Sequence, residues 1–599
     1  MFLNENARSP RRPNPTARTN RWWATWRTVR GLDRRQWLYL PRLFNREERL
    51  RIFIAGGIAV VAIAVLTARI FTRITVEGPA VGGTFREGTL TEPRFLNPLY
   101  ASTDTDRDLV NLVFSKLIRY DHEGKTAMDL AEGVEVSDDG KAYTVRLRSG
   151  VRWHNGADVS ADDVVFTIKT IQDPEYQSPL RPNWQGVAVE KLNDLTVRFT
   201  LRQPYAPFIE NLALGIIPEH LWRKIPREAA VLSDLNLKPV GTGPYRFRKL
   251  TRQEDGTITA VVLERNRSYH LRTPYIEELR FTFYPDETRL VAAYRRNDID
   301  GFLLFSALEL PAVQSLDVEI HELNLPKLFA VFLNPGAQPA LGRPAVRRAL
   351  ALAIDRRAII GDTVAGGGVE VNTPLPPGTF GHDSEIAGIP YDPDAARALL
   401  AKDGWDDADG DGVLERSEGS GRKKTTQKLE VRLVTSDAAE LARAEERIAE
   451  MWRAIGVKVE AQTLAVGDLE ATMIRPRAYE ALLFGEVLGH DPDPFAFWHT
   501  SQLKDPGLNI ALYSNATVDR LLEEARRTAD PAERAKRYRQ FQQLVAEEIG
   551  AIFLYSPTHF YVVRRNVRGV VLGSLALPDE RFNGVNQWYI DTRRVFRSP

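Results

Sequence analysis

The chain has 599 residues, of which 43% are hydrophobic, 27% charged and 9% aromatic, with 41 glycines and 36 prolines. This composition is typical of a folded protein of two or three domains, and it excludes collagen-like, mucin-like and broadly disordered chains. The chain contains no cysteine, which excludes disulfide scaffolds, thiol nucleophiles, cysteine-ligated zinc or iron–sulfur sites and a lipoprotein anchor.

The net charge of +1 combines two parts of opposite charge. Residues 1–51 contain 13 arginines and four acids, whereas residues 74–599 contain 65 basic and 75 acidic residues. The Arg-rich part is typical of a cytoplasmic segment held against anionic lipid. The acidic part argues against nucleic-acid binding, because neutralising phosphates requires a basic face.

An apolar segment separates the two parts. Residues 52–68 contain no charge, which is about the minimum length for crossing the hydrocarbon core. Because Arg-rich flanks stay in the cytoplasm, residues 52–72 are predicted to be a single-pass anchor in the cell membrane, with the acidic part extracytoplasmic. The alternative is a cleaved signal peptide, but a 51-residue leader is too long for one and no small-x-small cleavage site follows.

Strand-like and helix-like segments alternate through the acidic part. Alternating apolar positions over 428–435 predict a strand, apolar positions at helical spacing over 441–455 predict a helix, and 457–461 predicts a second strand. Such a β-α-β unit implies a parallel sheet covered by helices. Helices are also predicted to begin at Pro344 and, capped by Asp530, at the following proline.

Motifs for catalysis are absent from the sequence. It contains no Gly-x-Ser-x-Gly elbow, no His-Glu-x-x-His, no phosphate loop and no dinucleotide fingerprint, and its nine histidines show no ligand spacing. We therefore assign no catalytic residue and predict that the chain is not an enzyme.

Residues 130–168 combine several specific motifs. They contain a Ser-x-Asp-Gly turn at 137–140, a Tyr-Thr-x-x-Leu-Arg strand at 143–148, a Gly-Val-x-aromatic-His segment at 150–156 and a helix start at 161–166. Further motifs follow in the same chain order as in one known family: Glu92-Pro93, Leu96-Asn97-Pro98, Gly241 to Tyr245, Val346 to Leu350, and Asn515 with Val518-Asp519. Together they resemble the family 5 solute-binding proteins of ABC importers, which include oligopeptide-, dipeptide- and nickel-binding receptors.

This resemblance implies an α/β, two-lobed type II periplasmic-binding fold with a ligand cleft between the lobes. Lobe I is expected at 83–325 with a return at 557–599, and lobe II at 326–556. Such receptors close around a peptide or other small solute by a hinge motion and deliver it to an ABC permease. No cofactor is expected to be required.

A loop in lobe II carries the expected ligand contacts. Residues 485–494 resemble the family pattern Trp-x-x-Asp-x-x-Asp/Glu-Pro, whose first Asp pairs with the α-ammonium of a peptide. Aligned on Asp493-Pro494, that Asp falls on His490. Either the neighbouring Asp491 takes its role after a one-residue shift, or the ligand has no free amine at this point. The second option is favoured, because Pro492 restricts the backbone room that a shift would need. The predicted ligand contacts are His490, Asp491, Asp493 and Glu486. The alternative is a proline-stiffened turn with solvated acids.

A second loop has the spacing of a calcium site. From Asp407 to Glu418 the sequence matches an EF-hand loop, with acids or a backbone carbonyl at the ligand positions and Gly412 at the sharp turn. The predicted ligands of a structural Ca²⁺ are Asp407, Asp409, Asp411, Val413, Glu415 and Glu418. The alternative is an acidic hairpin tip, because no clear second helix follows the loop.

Three functions remain open at this point. The sequence favours a membrane-anchored receptor that captures a solute for an ABC importer. An uncleaved anchor is also compatible with a signalling or scaffolding ectodomain that uses the same fold without transport. A secreted hydrolase is the third alternative, although no motif supports it.

Overall fold

The computed structural model describes residues 45–418 and 425–596. It divides into two compact units, residues 1–78 with 593–599 and residues 79–592. Most of the Arg-rich segment, residues 1–44, lies outside the described residues.

The first unit is built on one long helix, Arg46–Ile74. Asn45 caps it, and the Glu48 side chain accepts a hydrogen bond from the Asn45 backbone N–H in return. No residue of the helix is buried, and its length and composition are sufficient to cross a membrane. The helix begins six residues, nearly two turns, before the predicted span of 52–72 and ends two residues after it. Strands Thr75–Pro79 and Thr592–Phe596 then pair as a two-stranded sheet.

The second unit contains a 12-stranded sheet. Its strands lie in the order Lys458–Leu464, Glu430–Ser436, Ala481–Val487, Lys327–Leu333, Ile552–Arg564, Gly301–Leu304, Thr84–Thr89, Glu278–Phe283, Ile258–Arg265 and Tyr245–Arg252, and Val318–Asn324 and Gly368–Glu370 also pair with Ile552–Arg564. A separate four-stranded sheet has the order Ala131–Val136, Ala142–Leu147, Thr196–Thr200 and Ala188–Asn193. Two hairpins, Ile118–Tyr120 with Thr126–Met128 and Glu415–Glu418 with Thr425–Lys428, complete the strands.

Helices cover the sheets. The α-helices of this unit are Asp104–Val113, Ala161–Gln172, Arg181–Trp184, Glu219–Trp222, Glu287–Arg295, Leu310–Gln314, Pro344–Leu352, Arg356–Val364, Pro393–Lys402, Ala439–Arg453, Val466–Leu469, Phe495–Trp498, Ala516–Arg527 and Pro531–Glu548. The helices predicted at Pro344 and after Asp530 are confirmed, and the Asp530 side chain accepts hydrogen bonds from two backbone N–H groups of the first turn.

The predicted β-α-β unit is confirmed. Strands Glu430–Ser436 and Lys458–Leu464 pair in parallel, and helix Ala439–Arg453 connects them. Leu441, Ile448 and Trp452 are buried on the face of this helix that packs on the sheet, as their helical spacing requires. The Ser-x-Asp-Gly turn is also present, with Gly140 at φ +65°, where the absence of a Cβ removes strain.

The hydrophobic cores of the described residues divide between two parts of the second unit. Two buried clusters draw only on residues 85–325 and 560–588, and three draw only on residues 328–555. We keep the names lobe I and lobe II, with the boundaries given above. The chain passes between the lobes at residues 325–326 and again at 556–557, where strand Ile552–Arg564 belongs to both.

Candidate ligand site between the lobes

A cavity of about 440 Å³ lies between the lobes. Tyr205 and Glu210 line it from lobe I, whereas Asp491, Asp493 and Arg526 line it from lobe II. Most of these groups are polar or charged, so the cavity can hold a solute with hydrogen-bonding groups.

A short 3₁₀ helix of lobe I and a loop of lobe II carry the side chains that line the cavity. Glu210 lies on the 3₁₀ helix Ala206–Ala213 of lobe I. In lobe II the loop 488–494 follows strand Ala481–Val487, and the Leu488 N–H donates to the Pro326 carbonyl, which fixes the start of the loop beside the lobe boundary. Pro494 then precedes helix Phe495–Trp498, so two prolines restrict the loop that carries the predicted contacts.

The two aspartates of the loop each have a guanidinium partner in lobe II. Asp491 Oδ2 lies 2.6 Å from Arg534 Nη2, and the Arg526 fork binds Asp493, with Nε 2.8 Å from Oδ1. Burial raises the pKa of Asp491 to about 6, and the Arg534 guanidinium opposes that rise. The alternative of solvated acids does not describe these side chains, because both carboxylates are ion-paired.

His490 makes its contacts with lobe I. Its Nε2 lies 2.8 Å from Glu580 Oε2, and its ring stacks on Tyr120 with centroids 3.8 Å apart. The side chain is 9% exposed. The loop residue that aligns with the peptide-binding Asp of the family is therefore engaged in a contact between the lobes.

Two further hydrogen bonds join the lobes at the same loop. The Asp491 N–H donates to Glu210 Oε1 at 2.5 Å, and the Tyr205 hydroxyl donates to Asp493 Oδ2 at 3.0 Å. Gly489 permits the first contact, because a Cβ at this position would lie 2.3 Å from Glu210 Oε2. The loop thus packs directly on lobe I.

Glu486 differs from the other predicted contacts. It is 2% exposed, pairs in register with Leu328, and is not among the described residues that line the cavity. Burial raises the pKa of its carboxyl to about 8, so the group is protonated at neutral pH.

The acidic loop of the calcium prediction lies on the surface of lobe II. Asp407, Asp409 and Asp411 each bring one carboxylate oxygen within 4.8 Å of the others. Lys428 Nζ lies 3.0 Å from Asp409 and also contacts Asp411. A cation of the protein itself therefore offsets part of the repulsion among these acids.

The remaining predicted ligands lie where the loop enters a strand. The Val413 N–H donates to Asp411 Oδ1, and Glu415 begins the strand Glu415–Glu418. The side chain of Glu418 lies outside the described residues. Calcium binding stays a prediction.

A second cavity, of about 370 Å³, is lined by lobe I residues that include Thr89, Asp108 and Arg581. Arg581 is 1% exposed and binds both oxygens of Asp108 at 2.6 Å and Glu87 Oε1 at 3.0 Å. Burial raises the pKa of Glu87, and the guanidinium opposes the rise. This cluster connects the return of the chain to the first strand and helix of lobe I.

Sequence reasoning did not find the partners of the loop. Glu210, Tyr205, Arg526 and Arg534 were not predicted, although they carry most of the site's geometry. Glu210 lies 281 residues from the N–H group that it accepts. Without an alignment, no local pattern indicates such a contact. Arg534 shares one helix face with Tyr538, Phe541 and Val545, and a charged residue on an apolar face was the one available signal.

A two-lobed α/β architecture with a polar cleft defines the class of the protein as a type II periplasmic-binding receptor. Residues 125–507 match the family of bacterial extracellular solute-binding proteins, family 5. The chain therefore belongs to this family, as its motifs predicted. Family 5 members are non-enzymatic transport receptors, so the prediction that the chain is not an enzyme is confirmed by its family.

Its relatives include receptors for peptides and for a metal complex. The chain is 29% identical over 529 residues to the oligopeptide-binding protein AppA of Bacillus subtilis. This match covers 86% of this chain and 92% of AppA. The structure of that AppA in complex with a nonapeptide has a TM-score of 0.69 and covers 86% of this chain and all of its own. NikZ of Campylobacter jejuni, solved with Ni(L-His), is 28% identical with a TM-score of 0.68 and covers 84% of this chain and 99% of its own.

Proposed function

We propose that the chain is a membrane-anchored, extracytoplasmic receptor that captures a peptide or similar small solute between its lobes and delivers it to an ABC importer. The observation that carries the proposal is the interlobe cavity, which takes hydrogen-bonding side chains from both lobes. The names of the relatives, which include oligopeptide- and dipeptide-binding proteins, support this class of solute.

Hinge closure is the expected mode of capture. The two interlobe crossings lie side by side, since the Ser556 hydroxyl donates to the Leu325 carbonyl at 3.4 Å. Each crossing contains a proline, Pro326 and Pro557, which limits the bending to a few residues. A solute that contacts both lobes stabilises the closed arrangement relative to an open one, and the importer recognises that state.

The helix Arg46–Ile74 supports anchoring in the cell membrane. Its apolar residues are exposed, as a lipid-facing surface requires, and the Arg-rich sequence before it favours a cytoplasmic N-terminus. The solute-binding unit then lies outside the cytoplasm, attached to the bilayer near the permease. Extraction of membranes at alkaline pH should leave the chain in the pellet, and its release into the supernatant would contradict the anchor.

Capture can be tested on the full chain in lipid nanodiscs. Its melting temperature should rise in the presence of some members of a panel of peptides, sugars and metal chelates, because a ligand that binds only the folded state stabilises it. Mass spectrometry of solute that co-purifies with the chain identifies the native ligand class. No stabilisation by any member, together with no co-purifying solute, would contradict a solute receptor.

A signalling or scaffolding ectodomain is the second candidate. The membrane helix favours it, because attachment by a span holds the chain beside other membrane proteins. Cross-linking in intact cells distinguishes the two: capture of a permease supports the importer, and capture of a sensor kinase or envelope protein in its place supports the alternative.

A further inference from the structure

Three carboxylates line the interlobe cavity, and they differ in how their charge is balanced. Asp491 and Asp493 are ion-paired with Arg534 and Arg526, as described above. Arg534 is 7% exposed and its guanidinium lies 4.8 Å from the centre of the Phe380 ring. Asp491 Oδ1 is buried and has no hydrogen-bond partner among the described residues. The arginines nevertheless offset the negative charge of both aspartates, so each attracts a cationic group less strongly than an unpaired carboxylate does.

Glu210 has a different environment. Among the described residues, no lysine, arginine or histidine side chain forms an ion pair with its carboxylate. It accepts hydrogen bonds only from neutral donors, the Asp491 N–H at 2.5 Å and the Tyr120 hydroxyl at 3.4 Å. Of the three cavity carboxylates, it is therefore the one without an ion-pair partner in the described part of the chain.

We propose that Glu210 of lobe I, in place of Asp491 or Asp493 of lobe II, binds a cationic group of the solute, an ammonium or a guanidinium. This inference rests on the proposed function and names the residue and the ligand chemistry that it requires. A cation bound there would contact a lobe I carboxylate that also holds the lobe II loop, so binding and lobe closure would support each other.

The protonation of Glu210 couples to this binding. Burial raises its pKa to about 7, so a bound cation, which favours the ionised form, would release protons near neutral pH. The titratable groups that face it are Asp491 and His490 of the loop and Tyr120 and Tyr205 of lobe I. Affinity for a cationic solute should rise roughly 20-fold from pH 5.5 to 7.5, because protons compete with the cation below the pKa.

The test uses the full chain in detergent micelles and an equimolar tripeptide library, presented with free amines and again after N-acetylation. The variant is Glu210→Gln, whose amide oxygen still accepts the Asp491 N–H, so the variant removes the charge and keeps the hydrogen bond. The control is Glu190→Gln, which removes a surface carboxylate of the same lobe, 57% exposed, outside the cavity lining. Thermal unfolding shows whether each variant is folded.

Mass spectrometry of captured peptides decides between three outcomes. We expect the wild type and Glu190→Gln to enrich free-amine peptides. Glu210→Gln should capture them at least tenfold more weakly, and its affinity should depend less on pH. Equal capture of acetylated peptides that contain neither lysine nor arginine, or unchanged affinity and pH dependence in folded Glu210→Gln, overturns the inference and leaves the proposed function intact. No capture of either library by the wild type counts against both.

Discussion

The buried ion cluster of lobe I provides a stability prediction with a defined magnitude. Arg581→Met removes a guanidinium that binds Asp108 through two hydrogen bonds of 2.6 Å and Glu87 through one of 3.0 Å. Both carboxylates are buried, at 2% and 0% exposure, so neither regains in the folded variant the hydration that it has in the unfolded chain. Breaking a buried ion pair by removing one partner costs about 3–5 kcal/mol. We expect a loss in that range at pH 8.

The loss should depend on pH. Without the guanidinium, the folded-state pKa values of Asp108 and Glu87 rise further above their unfolded values, so the folded variant binds more protons. Stability that comes from a raised carboxyl pKa is present at low pH and is lost as pH rises through the folded value. Since burial already raises the pKa of Glu87 to about 7 in the wild type, the difference between variant and wild type should widen between pH 6 and pH 8.

Urea unfolding, followed by tryptophan fluorescence, measures this difference. Trp588, one of 11 tryptophans, is fully buried, and its ring centroid lies 5.7 Å from that of Phe582, the residue after Arg581, so it contributes to the change in emission when this part of lobe I unfolds. Replacing the two carboxylates by amides in the Arg581→Met background should recover part of the loss. A loss below about 1 kcal/mol at pH 8, or one that does not shrink at pH 6, would refute the reasoning.

Three further predictions follow from single contacts. Glu486→Gln should gain stability relative to the wild type by about 1.4 kcal/mol per pH unit as pH rises from about 5 to 8. Over this range the folded wild type keeps a proton on Glu486 that the unfolded chain releases, and the glutamine removes this difference; parallel pH profiles in urea would contradict the prediction. Gly489→Ala should weaken solute capture, because the new methyl group would lie 2.3 Å from Glu210 Oε2. The control Gly467→Ala, whose methyl group would have no atom within 4 Å, should leave capture unchanged. Equal affinities of the two variants in a titration would contradict the prediction. The melting temperature should be modestly higher in millimolar Ca²⁺ than in chelator. The increase should be larger in Lys428→Met, which removes the ammonium that competes with the ion for Asp409 and Asp411. If Ca²⁺ changes the melting temperature of neither protein, the loop is only an acidic turn.

Local patterns predicted the architecture well. The β-α-β unit follows from apolar spacing within about 30 residues, and the helix after Asp530 from a cap and a proline at its first turn. The helix Arg46–Ile74 follows from the apolar run alone. It begins six residues, nearly two turns, before the uncharged run, because the charged residues 46–51 continue the helix.

The site could be predicted only in part. The resemblance assigned the ligand contacts to residues 485–494, but an acidic residue in a loop gives no sign of which cation will pair with it. Arg534, 43 residues further along a different element, decides the role of Asp491. Lys428 similarly enters the acidic loop from the facing strand, 17 residues from Asp411. Such partners are set by packing between elements, which residue spacing does not encode.

The distance between the lobes tests the central claim most directly. Because the chain contains no cysteine, Leu192→Cys in lobe I and Val466→Cys in lobe II, 41% and 53% exposed, provide two unique positions for spin labels. Double electron–electron resonance spectroscopy on the full chain in nanodiscs would give the distribution of distances between the two spin labels, with and without the free-amine tripeptide library. We predict that the library shifts the distribution to a shorter and narrower one, as capture by hinge closure requires. An identical distribution in both conditions would contradict a receptor that closes around its solute.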